Sequence, residues 1–206
     1  MSAREPVLNP IPIKSLRPTQ ITVGFREVAA KRQQWREQSA DGGSEFLGKH
    51  MVPVVRGPKG HPYIIDHHHL CRALLEEGVV DILVNEVADL RSLKKAEFWT
   101  YLDNRDWCHA YDAEGRRRDF EDIPSTVGAL ADDPYRSLAG ELRRAGGFAK
   151  DITPFSEFIW ADFLRRRVKR KLLDQNFPAA LIHALTLSKD ECASYLPGWC
   201  GPNPIV

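Results

Sequence analysis

The chain has 206 residues, of which 43% are hydrophobic and 28% are charged, and its formal net charge is +1. This composition is typical of a folded, soluble protein and excludes a disordered or membrane-spanning class. No stretch approaches the ~20 apolar residues of a membrane span, and prolines interrupt the N-terminal run that a signal peptide would need. We therefore expect a cytoplasmic protein with no membrane partner.

Charge is unevenly distributed along the chain. Lys and Arg exceed Asp and Glu in residues 1–60 and again in residues 136–206, whereas acidic residues prevail between them. This pattern argues against a protein that coats nucleic acid along its length, but it leaves local anion sites open. The four cysteines include no C-x-x-C pair, and a chain of this length needs no disulfide framework. We expect reduced thiols.

The first part of the chain alternates predicted strands and helices. A short strand is expected around Ile11–Ser15, because the prolines of this region favour extended backbone. Residues 24–38 place apolar side chains near one stripe, which predicts an amphipathic helix. The next segment, residues 39–50, is rich in Gly, Ser and Asp and is expected to be a loop.

Residues 51–66 are predicted to form two strands joined by a tight turn. β-branched residues fill both arms, and the sequence Gly-Pro-Lys-Gly between them favours the turn. A helix follows, with Asp66 as its expected N-cap and Gly78 as its expected C′ residue. Residues 79–87 then supply a further strand.

The second part of the chain is predicted to be helical, apart from an irregular segment at residues 107–128. Three segments combine Asp, Ser or Thr near the start with aromatic and Leu residues at helical spacing. They are residues 92–105, 133–146 and 153–175. The order of elements predicts an α/β (α+β) fold. A core with a small mixed sheet would occupy residues 1–90, and a helical C-terminal region, residues 91–206, would pack on it.

Three consecutive histidines, His67, His68 and His69, follow Asp66 at the predicted strand-to-helix turn. Successive helical residues point about 100° apart, so the three imidazoles cannot ligate one metal ion. The start of a helix instead favours an anion, because its first amide groups lack intrahelical acceptors. If the histidines occupy positions N1 to N3, His68 and Arg72 lie on one face and suit a phosphate. Alternatively, Asp66 only caps the helix, and the imidazoles are solvated or packed.

The segment PVVRGPKGHPYIIDHHHLCRALLEEG, residues 53–78, resembles the central motif of the ParB/sulfiredoxin superfamily, in the branch named for putative ParB-like nucleases. In that branch a strand runs into a turn and helix of the type D-G-H-H-R-x-x-A. Here Asp66 and the last two histidines match, whereas His67 stands in the glycine place and Leu70 in the arginine place. The resemblance extends over roughly residues 10–170 and implies the ParB/sulfiredoxin type of fold.

The resemblance implies a nucleotide site at this turn. Members of the superfamily hydrolyse CTP, use ADP to phosphorylate free serine, or, as sulfiredoxin does, use ATP to reduce a sulfinic acid. We therefore expect ATP, ADP or CTP with Mg²⁺, phosphate contacts from His67, His69 and Arg72, and Asp66 touching the magnesium ion. Arg72 would take the place of the missing arginine. Cys71 follows the histidines, whereas the cysteine of sulfiredoxin precedes its histidine, so sulfiredoxin chemistry is disfavoured.

A second group of candidate residues lies outside this turn. In the serine kinase relatives a glutamate early in a helix acts as the base. The resemblance implies this role for Glu27, with Lys31 at the phosphate. The alternative is an i, i+4 surface ion pair between the two. Arg136 and Ser137 stand at a helix start after Pro134 and are also expected to contact phosphate.

These residues predict a phosphotransferase with an unidentified small-molecule acceptor, or a nucleotide hydrolase, with Glu27, Asp66 and His68 as catalytic residues. The alternative function is a nucleic-acid-binding protein or nuclease. Six cations within Arg165–Lys171 favour it, although a solvated helix end would carry such cations equally well. A phosphoesterase of the DHH type is excluded, because Asp41 is the only aspartate before Asp66 and two metal ions would need more.

Overall fold

The computed structural model describes residues 10–39 and 43–202. In this part the chain forms two compact units. The first comprises the described parts of Met1–Ile21, Val28–Ala110 and Arg118–Leu130, and the second comprises Thr22–Glu27, Tyr111–Arg117 and the described part of Ala131–Val206. The division of the chain into domains at residue 90 stays a prediction.

Strands and helices alternate in the first half of the described chain, and helices dominate the second half. The strands are β1 (Pro10–Pro12), β2 (Thr22–Val23), β3 (Val52–Arg56), β4 (Pro62–Ile64), β5 (Asp81–Asp89) and β6 (Ala131–Asp132). The helices are α1 (Phe25–Gln38), α2 (Ser44–Lys49), α3 (His68–Glu76), α4 (Lys95–Asn104), α5 (Pro134–Arg144), α6 (Ser156–Arg165), α7 (Arg170–Gln175) and α8 (Phe177–Lys189).

A mixed four-stranded sheet forms the centre of the first unit, in the order β1, β5, β3, β4. Strand β5 is antiparallel to β1 and parallel to β3, and β3 is antiparallel to β4. Val52, Val54 and Val55 of β3 are buried, as expected for β-branched residues in an interior strand. The structure thus confirms the predicted α/β fold with a small mixed sheet.

Aromatic side chains close the core of the first unit against this sheet. The rings of Tyr63 in β4 and Phe98 in α4 lie 4.6 Å apart, and Trp99 lies 5.3 Å from Phe98, measured between ring centroids. All three are buried. Helix α3 buries the apolar side chains of Leu70 and Leu74, so the helix that carries the histidines is anchored in the core.

The second unit is built mainly of helices. Its strands β2 and β6 form a short parallel pair, and α5 packs against α6 and α8. Trp160 is fully buried and stacks on Phe148 at 4.4 Å between ring centroids. Over residues 10–39 and 43–202, no helix is both long enough and apolar enough to cross a membrane.

The predicted loop at residues 39–50 is wrong for its second half, where Ser44–Lys49 forms α2. Its composition argued against a helix, but tertiary packing overrides it. Phe46 is buried, with its ring 5.3 Å from Trp35 and 4.2 Å from His50 between centroids. Residues 40–42 of the predicted loop lie outside the described residues.

Other element boundaries also differ from expectation. The first strand ends at Pro12, and Ile13–Ser15 forms a 3-10 turn instead. The single helix expected over residues 153–175 is two helices, because the backbone of Lys169 between them is extended, with φ of −63° and ψ of 132°. Beside this break, the carbonyl of the buried Val168 accepts a hydrogen bond from the Tyr135 hydroxyl at 2.9 Å. Helix α8 was not predicted.

Candidate functional site

The histidine segment forms a tight turn between β4 and α3 in the first unit. His67 adopts a left-handed conformation with φ of 65°, and α3 begins at His68. Asp66 accepts a hydrogen bond from the His67 amide at 2.6 Å and makes no cap to the helix. The expected N-cap at Asp66 is therefore wrong, because the left-handed His67 takes that position. Helix positions N1 to N3 belong to His68, His69 and Leu70, one residue later than expected.

His68 is buried and joins α3 to the segment that precedes β2. Its Nε2 accepts a hydrogen bond from the backbone N–H of Thr19 at 3.1 Å, and the Thr19 hydroxyl donates to the carbonyl of Ile64 at 2.8 Å. Burial, together with the neighbouring imidazoles of His69 and His67, lowers the pKa of His68 to about 3. His68 is therefore neutral at neutral pH, and this geometry suits a positioning role. Its catalytic role stays a prediction.

His67 presents a ring nitrogen without a hydrogen-bond partner. Its Nδ1 is enclosed and makes no hydrogen bond to any described residue. Burial lowers the pKa of His67, Asp66 opposes this shift, and electrostatic interactions with His50 and Lys31 reinforce it. An enclosed donor or acceptor without a partner costs free energy, so this nitrogen is a candidate contact for a ligand.

The turn contains an exposed carboxylate but no complete metal site. Asp66 is exposed, and His69 is half-buried. Among the described residues, no cluster of three or more His, Cys, Asp or Glu side chains could hold a metal ion. Asp66 would contact a magnesium ion only together with the phosphates of a nucleotide.

Leu70 and Arg72 both contact other parts of the protein, whereas the arginine of the related motif is expected to contact phosphate. Leu70 is buried in the core, so its position offers no contact to a ligand. Arg72 donates from Nη1 to the carbonyls of Gly128 and Leu130, at 2.7 and 3.0 Å, and from Nε to Glu76 at 2.6 Å. It holds the segment 128–130 against α3. A phosphate contact from Arg72 stays a prediction, since it would compete with these bonds.

Glu27 belongs to a charged cluster of the second unit. Its Oε2 accepts from Nη1 of Arg136 at 3.1 Å, and Nη2 of the same guanidinium donates to Glu157. Arg143 completes the cluster, with Nε 2.7 Å from Oε1 of Glu157. A Cβ at Gly140 would lie 3.1 Å from Oε2 of Glu27, a tight contact that the carboxylate could relieve only by shifting. Arg136 is buried and bridges two carboxylates.

The other two predicted phosphate ligands already have protein partners. Ser137 is buried, and its hydroxyl oxygen accepts a hydrogen bond from the backbone N–H of Arg26 at 3.3 Å. Lys31 donates to the side chain of Gln34 at 3.2 Å. The lysine lies in the first unit, where its charge acts on His67.

The predicted site residues thus fall into two groups. The first unit contains Lys31, Asp66, His67, His68, His69 and Arg72, and the second unit contains Glu27, Arg136 and Ser137. Two further residues were not predicted from the sequence: His50, which acts electrostatically on His67, and Arg143, which pairs with Glu157. His50 follows a helix that composition did not predict, whereas the i, i+7 spacing of Arg136 and Arg143 on α5 was a usable signal.

The cation run at Arg165–Lys171 is largely engaged within the protein. Arg165 is mostly buried and pairs with Asp133 at 2.6 Å, and Arg166 pairs with Asp162 at 3.0 Å. Arg170 likewise pairs with Asp174 at 2.8 Å. These pairs reduce the charge that the run could offer to a phosphate backbone.

Comparison with known proteins assigns this fold and turn to a family. The family model described as "putative ParB-like nuclease" matches residues 9–166, and the chain belongs to this family. A crystal structure of the protein Atu1540 from Agrobacterium tumefaciens is similar over 96% of this chain and 100% of that one, with 54% sequence identity and a TM-score of 0.89. No protein of curated function matches the chain.

Proposed function

We propose that this ParB-like protein binds the phosphates of a nucleotide at the first turn of α3. The observation that carries the proposal is the turn itself. A strand ends at Ile64, a left-handed residue redirects the chain at His67, and a helix anchored in the core begins at His68. The first amides of such a helix and its dipole favour an anion.

Side chains around the turn are consistent with phosphate chemistry. The enclosed Nδ1 of His67 can donate to a phosphate oxygen in the tautomer or charge state that carries a proton there. Lys31 supplies positive charge that acts on His67. Asp66 is exposed and could share a magnesium ion with the nucleotide. His68 supports the turn from below through its bond with Thr19.

Within this proposal the nucleotide serves as a phosphoryl donor to a small-molecule acceptor, or it is hydrolysed. The related enzymes of the superfamily support this reaction class. Phosphoryl transfer depends chiefly on positioning and charge stabilisation, which a rigid turn with fixed donors can supply.

Calorimetric titration with Mg-ATP, Mg-ADP and Mg-CTP tests the proposal. We expect saturable binding of at least one nucleotide, weakened about 10-fold or more in His67→Ala, since a charge-assisted contact is lost. His183→Ala is the matched control, because His183 is an exposed histidine of α8 in the second unit. Absence of binding by all three nucleotides at millimolar concentration would rule the proposal out.

A second candidate function, a nuclease or nucleic-acid-binding protein, has the description of the matching family in its favour. Lys169 and Lys171 are exposed and form no ion pair with any described residue. If the protein binds nucleic acid through them, their replacement by alanine should reduce the salt dependence of binding, whereas Lys150→Ala should not. Cleavage of single- or double-stranded DNA or RNA with Mg²⁺ or Mn²⁺ is the direct assay.

A further inference from the structure

The second unit contains a pocket that none of the proposed phosphate chemistry uses. Its volume is about 200 Å³, and its lining includes Phe25, Arg26, Asp132, Ser137, Leu173 and Phe177. We call it the Asp132 pocket. Drug-sized ligands need at least about 300 Å³, so the pocket suits a small metabolite.

The floor of the Asp132 pocket is fixed by the start of α1. The amide of Phe25 donates to Oδ1 of Asp132 at 2.8 Å, and the amide of Arg26 donates to the hydroxyl oxygen of Ser137 at 3.3 Å. Gly24 approaches so closely that a Cβ there would lie 2.6 Å from the Ser137 oxygen. The side chains of Asp132 and Ser137 therefore accept from the first two amides of α1 and fix the backbone that lines the pocket.

Two opposite charges line the Asp132 pocket without pairing. Asp132 accepts one hydrogen bond through Oδ1, and Oδ2 has no donor among the described residues. Burial raises the pKa of Asp132, the effect of a carboxylate that lacks full compensation. The guanidinium of Arg26 lies 3.8 Å from the ring centroid of Phe177 and forms no ion pair with any described residue. At the same pocket, Asp174 does pair, with Arg170 at 2.8 Å.

We propose that the Asp132 pocket binds a small zwitterion, with its ammonium on Asp132, its carboxylate on Arg26 and an apolar body against Phe25 and Leu173. A ligand with only one charge would leave one of these two charged side chains unmatched, whereas a zwitterion satisfies both. A free α-amino acid with an apolar side chain is the chemical class that combines these features in this volume. The proposal does not depend on nucleotide binding at α3.

Titration of the full chain with L-leucine and L-phenylalanine tests the ligand class. For leucine, isoamylamine lacks the carboxylate and 4-methylpentanoate lacks the ammonium, so each analogue removes one charge at nearly constant shape. We expect saturable binding of at least one amino acid, and binding of each analogue about 10-fold weaker or more, because each loses a charge-assisted contact. The proposal is overturned if neither amino acid binds at a ligand concentration of about 10 mM, or if an analogue binds as tightly as leucine.

Two variants test whether the amino acid binds in the Asp132 pocket. Asp132→Asn keeps an oxygen for the Phe25 amide but removes the charge, and Arg26→Met removes the exposed guanidinium. Each should weaken amino-acid binding about 10-fold or more. Asp162→Asn is the matched control, since it breaks a surface pair with Arg166 in the same unit. Arg26 is exposed, so Arg26→Met remains informative if Asp132→Asn does not fold. Wild-type affinity in a folded Arg26→Met protein would contradict the proposal.

Discussion

The imidazole of His68 accepts a hydrogen bond from the backbone N–H of Thr19, with 3.1 Å between Nε2 and N. An amide N–H can only donate, so Nε2 must be the acceptor and the ring proton sits on Nδ1 in the neutral form. The Thr19 hydroxyl in turn donates to the carbonyl of Ile64, the last residue of β4. His68 thus fixes the strand and the helix on both sides of the turn.

Protonation of His68 should destabilise the fold at mildly acidic pH. Its folded pKa of about 3 lies below the ordinary 6.5, so the unfolded chain binds this proton more readily. The stabilisation is complete above pH 6.5 and declines as the pH falls from 6.5 toward 3, by about 1.4 kcal/mol per pH unit.

Denaturant unfolding of wild type and His68→Gln at pH 7 and pH 5 measures this effect. Glutamine can still accept the Thr19 bond but cannot be protonated, so its unfolding free energy should fall less between the two pH values. The carboxyls with a depressed pKa, Glu77 and Asp89, both at about 2, contribute mainly below this window. Equal pH dependence in both proteins would contradict the assignment.

Because the backbone of His67 is left-handed, glycine and alanine substitutions distinguish backbone strain from the loss of the imidazole. His67→Gly should be more stable to unfolding than His67→Ala by about 1 kcal/mol, because glycine adopts φ of 65° without strain. Both variants lose the imidazole, so both should lose nucleotide affinity equally. Thermal unfolding and calorimetric titration of the two variants give these quantities. If nucleotide affinity differed between the two variants in parallel with their stability, the proposed direct contact from the His67 imidazole would be contradicted.

Nucleotide affinity should increase as the pH is lowered. The pKa of His67 is held below its ordinary value, mainly by burial, and a bound phosphate would raise it. Nucleotide binding is therefore coupled to protonation of His67, and affinity rises as the pH falls through the pKa of His67 in the complex. Titration at several pH values should show this increase for wild type and not for His67→Ala, which controls for ionisation of the nucleotide itself.

Arg72 should stabilise the segment at residues 128–130, whose carbonyls accept its hydrogen bonds. Arg72→Met removes the donors to the Gly128 and Leu130 carbonyls, and we expect a loss of about 2 kcal/mol in unfolding free energy. Hydrogen exchange should accelerate at Val127–Ala129, the 3-10 turn beside these carbonyls. Arg91→Met, which breaks an exposed pair with Asp89, is the control and should leave this exchange unchanged.

The charged cluster of the second unit should contribute to the stability of the fold. Arg136→Met leaves the carboxylates of Glu27 and Glu157 without their shared partner and should cost about 3 kcal/mol of unfolding free energy. Glu27→Gln retains an acceptor for Arg136 and should be much less destabilising. Denaturant unfolding of the two variants measures the difference, and equal losses of unfolding free energy would contradict the bridging role of Arg136.

The sequence predicts local features of this protein better than its long-range contacts. The β-branched arms around the turn and Gly78 at the end of α3 carry local signals, and the structure has both. Gly78 follows the C-cap with φ of 77°. The start of α3 was misplaced by one residue because nothing in a histidine indicates a left-handed conformation, whereas Asp66 is a common cap.

Partners from distant parts of the chain could not be predicted. Thr19 and His68 are 49 residues apart, and Arg72 is 58 residues from the Leu130 carbonyl. The motif therefore indicated the candidate turn but not what its side chains contact. It also could not reveal that Glu27 would share Arg136 with Glu157, since that depends on how α5 and α6 pack.

Amide chemical shifts during titration with Mg-nucleotide test the central claim most directly. If the phosphates bind at the first turn of α3, the largest shift changes should occur at the backbone amides of His68, His69 and Leu70, and they should saturate with the calorimetric affinity. Saturable binding that leaves these three amides unperturbed, or no binding by ATP, ADP or CTP, would contradict the claim.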